Sequence, residues 1–280
     1  MPLPDLRIAA AVVAAPLGRL AANFDRTAAW TARARNEGAR VVCFPEMNLT
    51  GYSPRAIIKD VALPIDSPMI HQLERLSNDS KMVILAGFAE TDQHGRIFAS
   101  HLVAAPGRTA AVYRKTHVAP PEQAIFCAGQ RIPVFEIDGW HFGIQLCYDA
   151  HFPELTTRMA LNGADIIFFP HASPRGTPQG KLDSWRRHLP ARAFDNGLFA
   201  VACNQTGSNG EGLQFPGLAV AFGPSGQMLA RETSGQEGLL CVDLKRDELE
   251  AVRRHRMRYF LPNRRPGLYA NAAKSRKSSD

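Results

Sequence analysis

The stretch Trp140-His-Phe-Gly-Ile-Gln-Leu-Cys147-Tyr-Asp-Ala-His-Phe-Pro-Glu154 changes character at its midpoint. Its first seven residues read as a buried strand and Pro153-Glu154 as the opening of a helix, so Cys147 falls where one ends and the other is about to begin. In an α/β sheet that edge is where ligands bind. The N–H groups of the following turn have no carbonyl partners of their own and face whatever the sulfur approaches. A thiol so placed is a candidate nucleophile, although a cysteine at a strand end also packs simply as a small hydrophobe.

Two other strand ends bear on the choice. The run Arg40-Val-Val-Cys-Phe-Pro45 leads into Glu46, and Thr109-Ala-Ala-Val-Tyr-Arg114 leads into Lys115. Taken alone, Glu46 reads more readily as a solvated turn residue and Lys115 as the exposed end of a strand. Together with Cys147 they put a carboxylate, an ammonium and a thiol at three strand ends, a set with chemical sense.

In these contexts, Phe44-Pro-Glu46…Gly51-Tyr52, Tyr113-Arg-Lys115-Thr-His117 and Gly143-Ile-Gln-Leu-Cys147-Tyr-Asp149…Phe152-Pro-Glu154, the chain resembles the nitrilase or carbon–nitrogen hydrolase superfamily. The resemblance extends over nearly the whole chain. It takes in Glu122 with Phe126 and Gly129, the Trp185…Arg192-Ala193…Asn196 helix, Asn204, and Arg264-Arg265-Pro266-Gly-Leu-Tyr269. It implies an α/β fold of the four-layer αββα sandwich type. It also implies a catalytic set of Glu46, Lys115 and Cys147, with Glu122 as an additional glutamate that orients the lysine or assists the base.

The chemistry of these residue types agrees with that implication. An ordinary thiol titrates near roughly pH 8.5, so Cys147 needs a base or a cation beside it to attack at neutral pH. Glu46 is expected to take the proton and Lys115 to favour the thiolate. Negative charge then builds on the carbonyl oxygen, and Lys115 with the backbone N–H of Tyr148 would receive it, worth about 10²–10³ in rate per donor. Glu46 returns the proton to the leaving amine and activates the water that opens the thioester.

True nitrilases of the superfamily usually carry Trp-Glu after the nucleophile; this chain has Tyr148-Asp149, closer to the amidase and ω-amidase branches. The expected activity is an amidohydrolase cleaving a small linear amide to carboxylic acid and ammonia. The alternative is an N-carbamoyl-amine (ureido) hydrolase; a nitrilase or a non-catalytic regulatory protein are further readings. Tyr52, His151, His171 and Arg175 are candidate pocket residues, the last three as partners for a substrate carboxylate.

Rival chemistries find less support. A papain-like site needs a histidine base, and of nine histidines His141, His151 and His171 lie near strand ends. The five cysteines, at 43, 127, 147, 203 and 241, form no Cys-x-x-Cys and have no His-x₃-His partner, so no metal is expected. No Gly-x-Gly-x-x-Gly follows a strand and there is no phosphate-binding loop, so no cofactor is expected either.

The net charge of +7 is unevenly spread: residues 251–280 hold nine of the 33 Lys and Arg but only one acidic residue, Asp280. The remainder is nearly neutral, with 24 basic against 25 acidic residues. The basic stretch reads as a helix end, the superfamily segment and a frayed terminus, so neither nucleic acid nor membrane is an expected partner. Residues 1–270 read as one hydrolase domain and 271–280 as a disordered tail. The apolar run Ile8 to Ala15 is read as the first strand rather than a secretory segment, since Asp5 cancels Arg7. Free thiols suit a cytoplasmic location. A homodimer or larger assembly is expected, because Leu155, Met159, Leu161, Trp185, Leu189 and Phe194 exceed what one buried helix stripe requires.

Element by element, a helix is predicted from about Asn23, as its N-cap, to Asn36. Strands are predicted at 41–45, 82–88, 97–104, 109–114, 132–137 and 140–146, with hairpins over 82–114 and 217–243. A helix over 181–195 should kink or divide at Pro190.

Overall fold

The computed structural model describes residues 4–268; the proposed tail, 271–280, lies outside them. In the first strand, β1 (Leu6–Val12), every residue but Arg7 is buried. Leu6, Ile8, Ala10 and Val12 belong to one apolar cluster, Ala9 and Ala11 to another. A two-residue period sends alternate side chains to opposite faces. A strand covered on both faces therefore carries a continuous apolar run, which is why the start of the chain is so uniformly apolar.

The first sheet has the order β14 (Gly238–Leu244), β1, β2 (Val41–Cys43), β3 (Val83–Thr91), β4 (Ile97–Ala104), β5 (Ala111–Arg114). The second runs β13 (Met228–Glu232), β12 (Ala219–Phe222), β9 (Phe199–Asn204), β8 (Ile166–His171), β7 (Trp140–Ile144), β6 (Phe135–Ile137). Both follow one plan. Three parallel strands, β1-β2-β3 or β7-β8-β9, are flanked by two antiparallel strands on one side and one on the other. The repeat is one of topology, with no matching repeat in the sequence.

The sheets pack face to face, β1 lying across β9 and β12. Helices α1 (Leu20–Asn36) and α2 (Pro68–Ser80) cover the outer face of the first sheet through Trp30, Ala34, Ile70 and Leu73. On the second sheet lie α3 (Pro153–Leu161) and α5 (Leu189–Asn196), preceded by α4 (Pro178–Trp185) and followed near the end by α6 (Arg246–Arg254). This is the expected four-layer αββα sandwich. Among the described residues no helix is long and apolar enough to cross a membrane.

Several local expectations change. α1 starts at Leu20, and Asn23 is no N-cap: buried inside the first turns, its amide donates to Pro16 O (2.9 Å) and Leu49 O (3.0 Å). The 132–137 strand shortens to β6. Of the second hairpin only β12-β13 pairs; β14 leaves to pair with β1 in the other sheet. Helix α2 and the short hairpin β10 (Thr206–Ser208) with β11 (Gln214–Pro216) were not anticipated. The break before Pro190 is as expected, since Pro stands in the first turn of α5 where its missing N–H costs nothing. Of the six residues ascribed to a second apolar face, Leu155, Met159, Trp185 and Leu189 are buried within the chain, and only Leu161 and Phe194 are exposed.

Candidate active site

The parallel strands of both sheets end at one place. Beyond β2, Phe44 N–H still bonds to Leu85 O at 2.9 Å, and the chain then leaves the sheet at Glu46 and Met47, whose φ is 56°. That turn lies directly on β3. A Cβ at Gly87 would stand 2.3 Å from Met47 N, so only glycine permits the approach. Asn48 completes the fastening by accepting from Gly87 N–H (2.8 Å) and donating to Thr27 Oγ1 (2.9 Å).

Glu46 is 1% exposed, and both of its carboxylate oxygens are engaged. Oε1 accepts from Lys115 Nζ at 3.0 Å and Oε2 from Ala172 N–H, just past β8, at 3.0 Å. Its main-chain oxygen accepts from Gln205 Nε2 at 2.7 Å. Lys115 follows β5, held by its N–H on Ala99 O (2.8 Å), and its Nζ also donates to Glu122 Oε2 (2.9 Å) and Oε1 (3.2 Å). Glu122 is buried as well. Tyr52 donates its hydroxyl to Glu122 Oε1 at 2.9 Å. Burial and then the Glu122 charge push the Tyr52 pKa up, so it stays a donor.

Cys147 ends the β7 segment and opens a 3-10 turn, Cys147–His151, with φ of 43°. A non-glycine residue in that region carries about 1–3 kcal/mol of strain, and something must hold it. Asp149 does so. This buried carboxylate accepts from Leu146 N–H (3.0 Å) and Tyr113 OH (2.7 Å) on one oxygen. On the other it accepts from Thr116 Oγ1 (2.9 Å), His117 N–H (2.8 Å) and the His117 ring (2.9 Å). It thereby ties the thiol's turn to the strand end that carries Lys115. Nothing in the sequence marks this role beyond the position of Asp149 in the motif.

Two carboxylates share one buried ammonium, and the titration of Glu46 reflects it. Burial, opposed by the Lys115 charge and reinforced by that of Glu122, pushes Glu46 up to about 7. For Lys115, burial alone would lower the pKa, but attraction to Glu46 and Glu122 outweighs it and the ammonium stays charged. Cys147 is partly exposed, yet desolvation around its sulfur, then the Glu46 charge, push the thiol up, while Lys115 pulls the other way. The expected help from Lys115 is present but outweighed. The resting sulfur is a thiol, next to a carboxylate that titrates near neutrality.

The candidate pocket residues divide. His171 is buried, its ring tilted against that of Trp185 at 4.2 Å between centroids, with its Nδ1–H donating to Phe169 O at 2.7 Å. Burial pushes its pKa well down, so it is neutral and its remaining nitrogen is an acceptor, which a carboxylate cannot use. His151 lies at the surface against His188, ring centroids 4.7 Å apart. Arg175 is exposed, its φ of 68° set where its N–H meets Gln214 O at 2.8 Å. Sequence reasoning missed Lys181, half-buried on α4, whose Nζ donates to Ser173 Oγ at 2.8 Å.

Residues 8–254 match the family model described as carbon-nitrogen hydrolase. The chain belongs to the carbon–nitrogen hydrolase family. Among curated relatives, this hydrolase is 32% identical over 237 residues to an (R)-stereoselective amidase of Pseudomonas sp., covering 85% of this chain and 84% of that one. It is 29% identical over 218 residues to the 2-oxoglutaramate amidase of Bacillus subtilis, covering 77% and 82% respectively. Among solved structures it is similar to an amidase from Nesterenkonia sp., with a TM-score of 0.82, 28% identity and 95% of each chain covered. A mutant of that amidase shows covalent addition of the acetamide moiety of fluoroacetamide at its active-site cysteine.

Proposed function

We propose that this carbon–nitrogen hydrolase is an amidase that releases ammonia from a small linear amide through a thioester on Cys147. The observation that carries the reading is one buried ammonium, Lys115, hydrogen-bonded to both Glu46 and Glu122 beside the thiol. Glu46 takes the Cys147 proton as the sulfur attacks the amide carbonyl. The N–H of Tyr148 is among the first of its turn, which have no carbonyl partner within it, and with Lys115 it receives the developing oxyanion. As the tetrahedral species collapses, Glu46 passes its proton to the departing nitrogen and ammonia leaves. Glu46 then takes a proton from water, the resulting hydroxide adds to the thioester, and the carboxylic acid departs as the thiol is restored. Glu122 and Tyr52 keep Lys115 in place throughout. The relatives that bear amidase names support the same reading.

The test is ammonia release from a panel of aliphatic amides, ω-amides, nitriles and ureido acids, with intact-mass analysis of quenched protein. Wild type is expected to turn over amides and to show an acyl adduct of one per chain; Cys147→Ala is expected to show neither while melting normally. Turnover in Cys147→Ala, or turnover of nitriles or ureido acids alone, overturns the reading.

A further inference from the structure

A cavity at the β5 edge of the first sheet takes no part in the reaction above. It encloses about 580 Å³ and is walled by Phe98 and Val112 of the first sheet and Phe135 of the second. β5 and β6 are edge strands of their sheets, so the cavity lies where both sheets end. Along β5, Tyr113 joins the core between the sheets, and Val112 packs with the cluster on the outer face. The two-residue period sends Arg114 outward with Val112, and Lys115 inward with Tyr113. Cavity and thiol are thus served by opposite faces of one strand end.

One hydrogen bond joins the two. Gly129, in the cavity wall, donates its N–H to Lys115 O at 2.7 Å. A Cβ at Gly129 would stand 2.3 Å from Arg114 O, so this wall is pressed onto the strand end.

The lining has a definite charge. It contains Arg96, Arg114 and Arg131 and no carboxylate. Arg114 Nε donates to Glu90 Oε2 at 2.9 Å and Arg96 Nε to Asp92 Oδ2 at 2.8 Å, both acids lying outside the lining. The two guanidiniums stand over the Phe98 ring, with Cζ 4.2 Å and 5.5 Å from its centroid. Each keeps its Nη1 without a hydrogen-bond partner among the described residues, and the exposed Arg131 has no ion pair among them. Three cations against two carboxylates leave one positive charge beside apolar walls. A cavity of this size, apolar with a few converging polar groups, is the usual form of a small-molecule site.

We propose that this cavity is a second ligand site, apart from the thiol, for a monocarboxylate with an apolar body. The carboxylate meets Arg96, Arg114 and Arg131, whose planar forks suit it, and the body lies on Val112 and Phe135. A phosphate monoester carries close to two charges at neutral pH, more than the one uncompensated cation. The site goes beyond the amidase reading and does not depend on it: none of Glu46, Lys115, Glu122 and Cys147 lines it.

Calorimetry with 4-phenylbutyrate tests the proposal, with 4-phenylbutan-1-ol as the uncharged probe of nearly the same shape. Wild type is expected to bind the carboxylate with a Kd below about 1 mM, and about tenfold or more tighter than the alcohol. Arg131→Glu sets a like charge beside the carboxylate and should weaken binding about 10-fold or more, whereas Arg131→Lys should keep most of the affinity. Ala128→Trp, at an exposed position of the wall, should abolish binding by filling the space. Positions 128 and 131 are exposed, so these variants should melt as wild type does. A wild-type Kd above about 1 mM, or equal affinity for the alcohol, overturns the proposal. So does binding that survives both Arg131→Glu and Ala128→Trp, which would place the probe elsewhere, the thiol's own pocket included. The measurement needs no turnover, so a failure here leaves the amidase reading standing, and a protein that hydrolyses no amide can still uphold the site.

Discussion

At the scale of single residues, the balance between Glu46 and Cys147 decides when the site works. The thiol is held in its protonated form, so attack depends on a base that is itself unprotonated. Glu46, raised to about 7, is that base only once the pH has risen past its own titration. The sign follows: below that value the carboxyl carries a proton and acylation is slow, and above it the rate levels off. We therefore expect kcat/KM for an amide to rise with pH through about 7. Glu46→Gln keeps the size but has no proton to exchange, and should lower acylation by roughly 10²–10⁴ and abolish the limb. A pH profile of Glu46→Gln with the wild-type limb intact, or His151→Asn as impaired as Glu46→Gln, would hand the base to another group.

Between elements, Asp149 joins what the chain keeps apart. The turn after β7 and the strand end after β5 are separated by more than thirty residues, yet five hydrogen bonds from them converge on this one buried carboxylate. Asparagine at this position supplies one acceptor oxygen and an amide that itself donates, so buried donors would face a donor. Asp149→Asn should cost about 2–3 kcal/mol, seen as a fall in Tm of roughly 4–10 °C for a chain of this size. Activity should fall with it, because the strained Cys147 backbone loses its anchor. Unchanged melting and unchanged kcat in Asp149→Asn would show that the φ of 43° at Cys147 is held by other contacts.

For the molecule as a whole, the outer face of the second sheet is where a partner subunit would sit. Leu161 at the end of α3 is 48% exposed and Phe194 on α5 is 42% exposed; Phe260 packs beside Phe194 with ring centroids 5.4 Å apart. The helices α3 and α5 that carry Leu161 and Phe194 touch within the chain. A twofold homodimer built on that face would bear directly on the helix that follows the Cys147 turn. Sedimentation velocity should give at least a dimer, and Leu161→Glu combined with Phe194→Glu should dissociate it and reduce activity. A fully active wild-type monomer would remove assembly from the account.

Much of this was legible in the chain because it depends on near neighbours. An apolar run that stops at a polar residue marks a strand end wherever it lies, so Glu46, Lys115 and Cys147 are visible one by one, as are the division at Pro190 and the double burial of β1. The motif around them then carries the αββα fold by resemblance. Other properties arise only when distant segments meet. Glu46 titrates near 7 because burial of its carboxylate, helped by the Glu122 charge, outweighs the pull of Lys115, and no local pattern encodes that packing. The pairing of β14 with β1, the inward turn of Asn23 and the neutrality of His171 are of the same kind. Periodicity reports which side of an element is buried; it does not report what it is buried against, and charge, protonation and register all depend on the second.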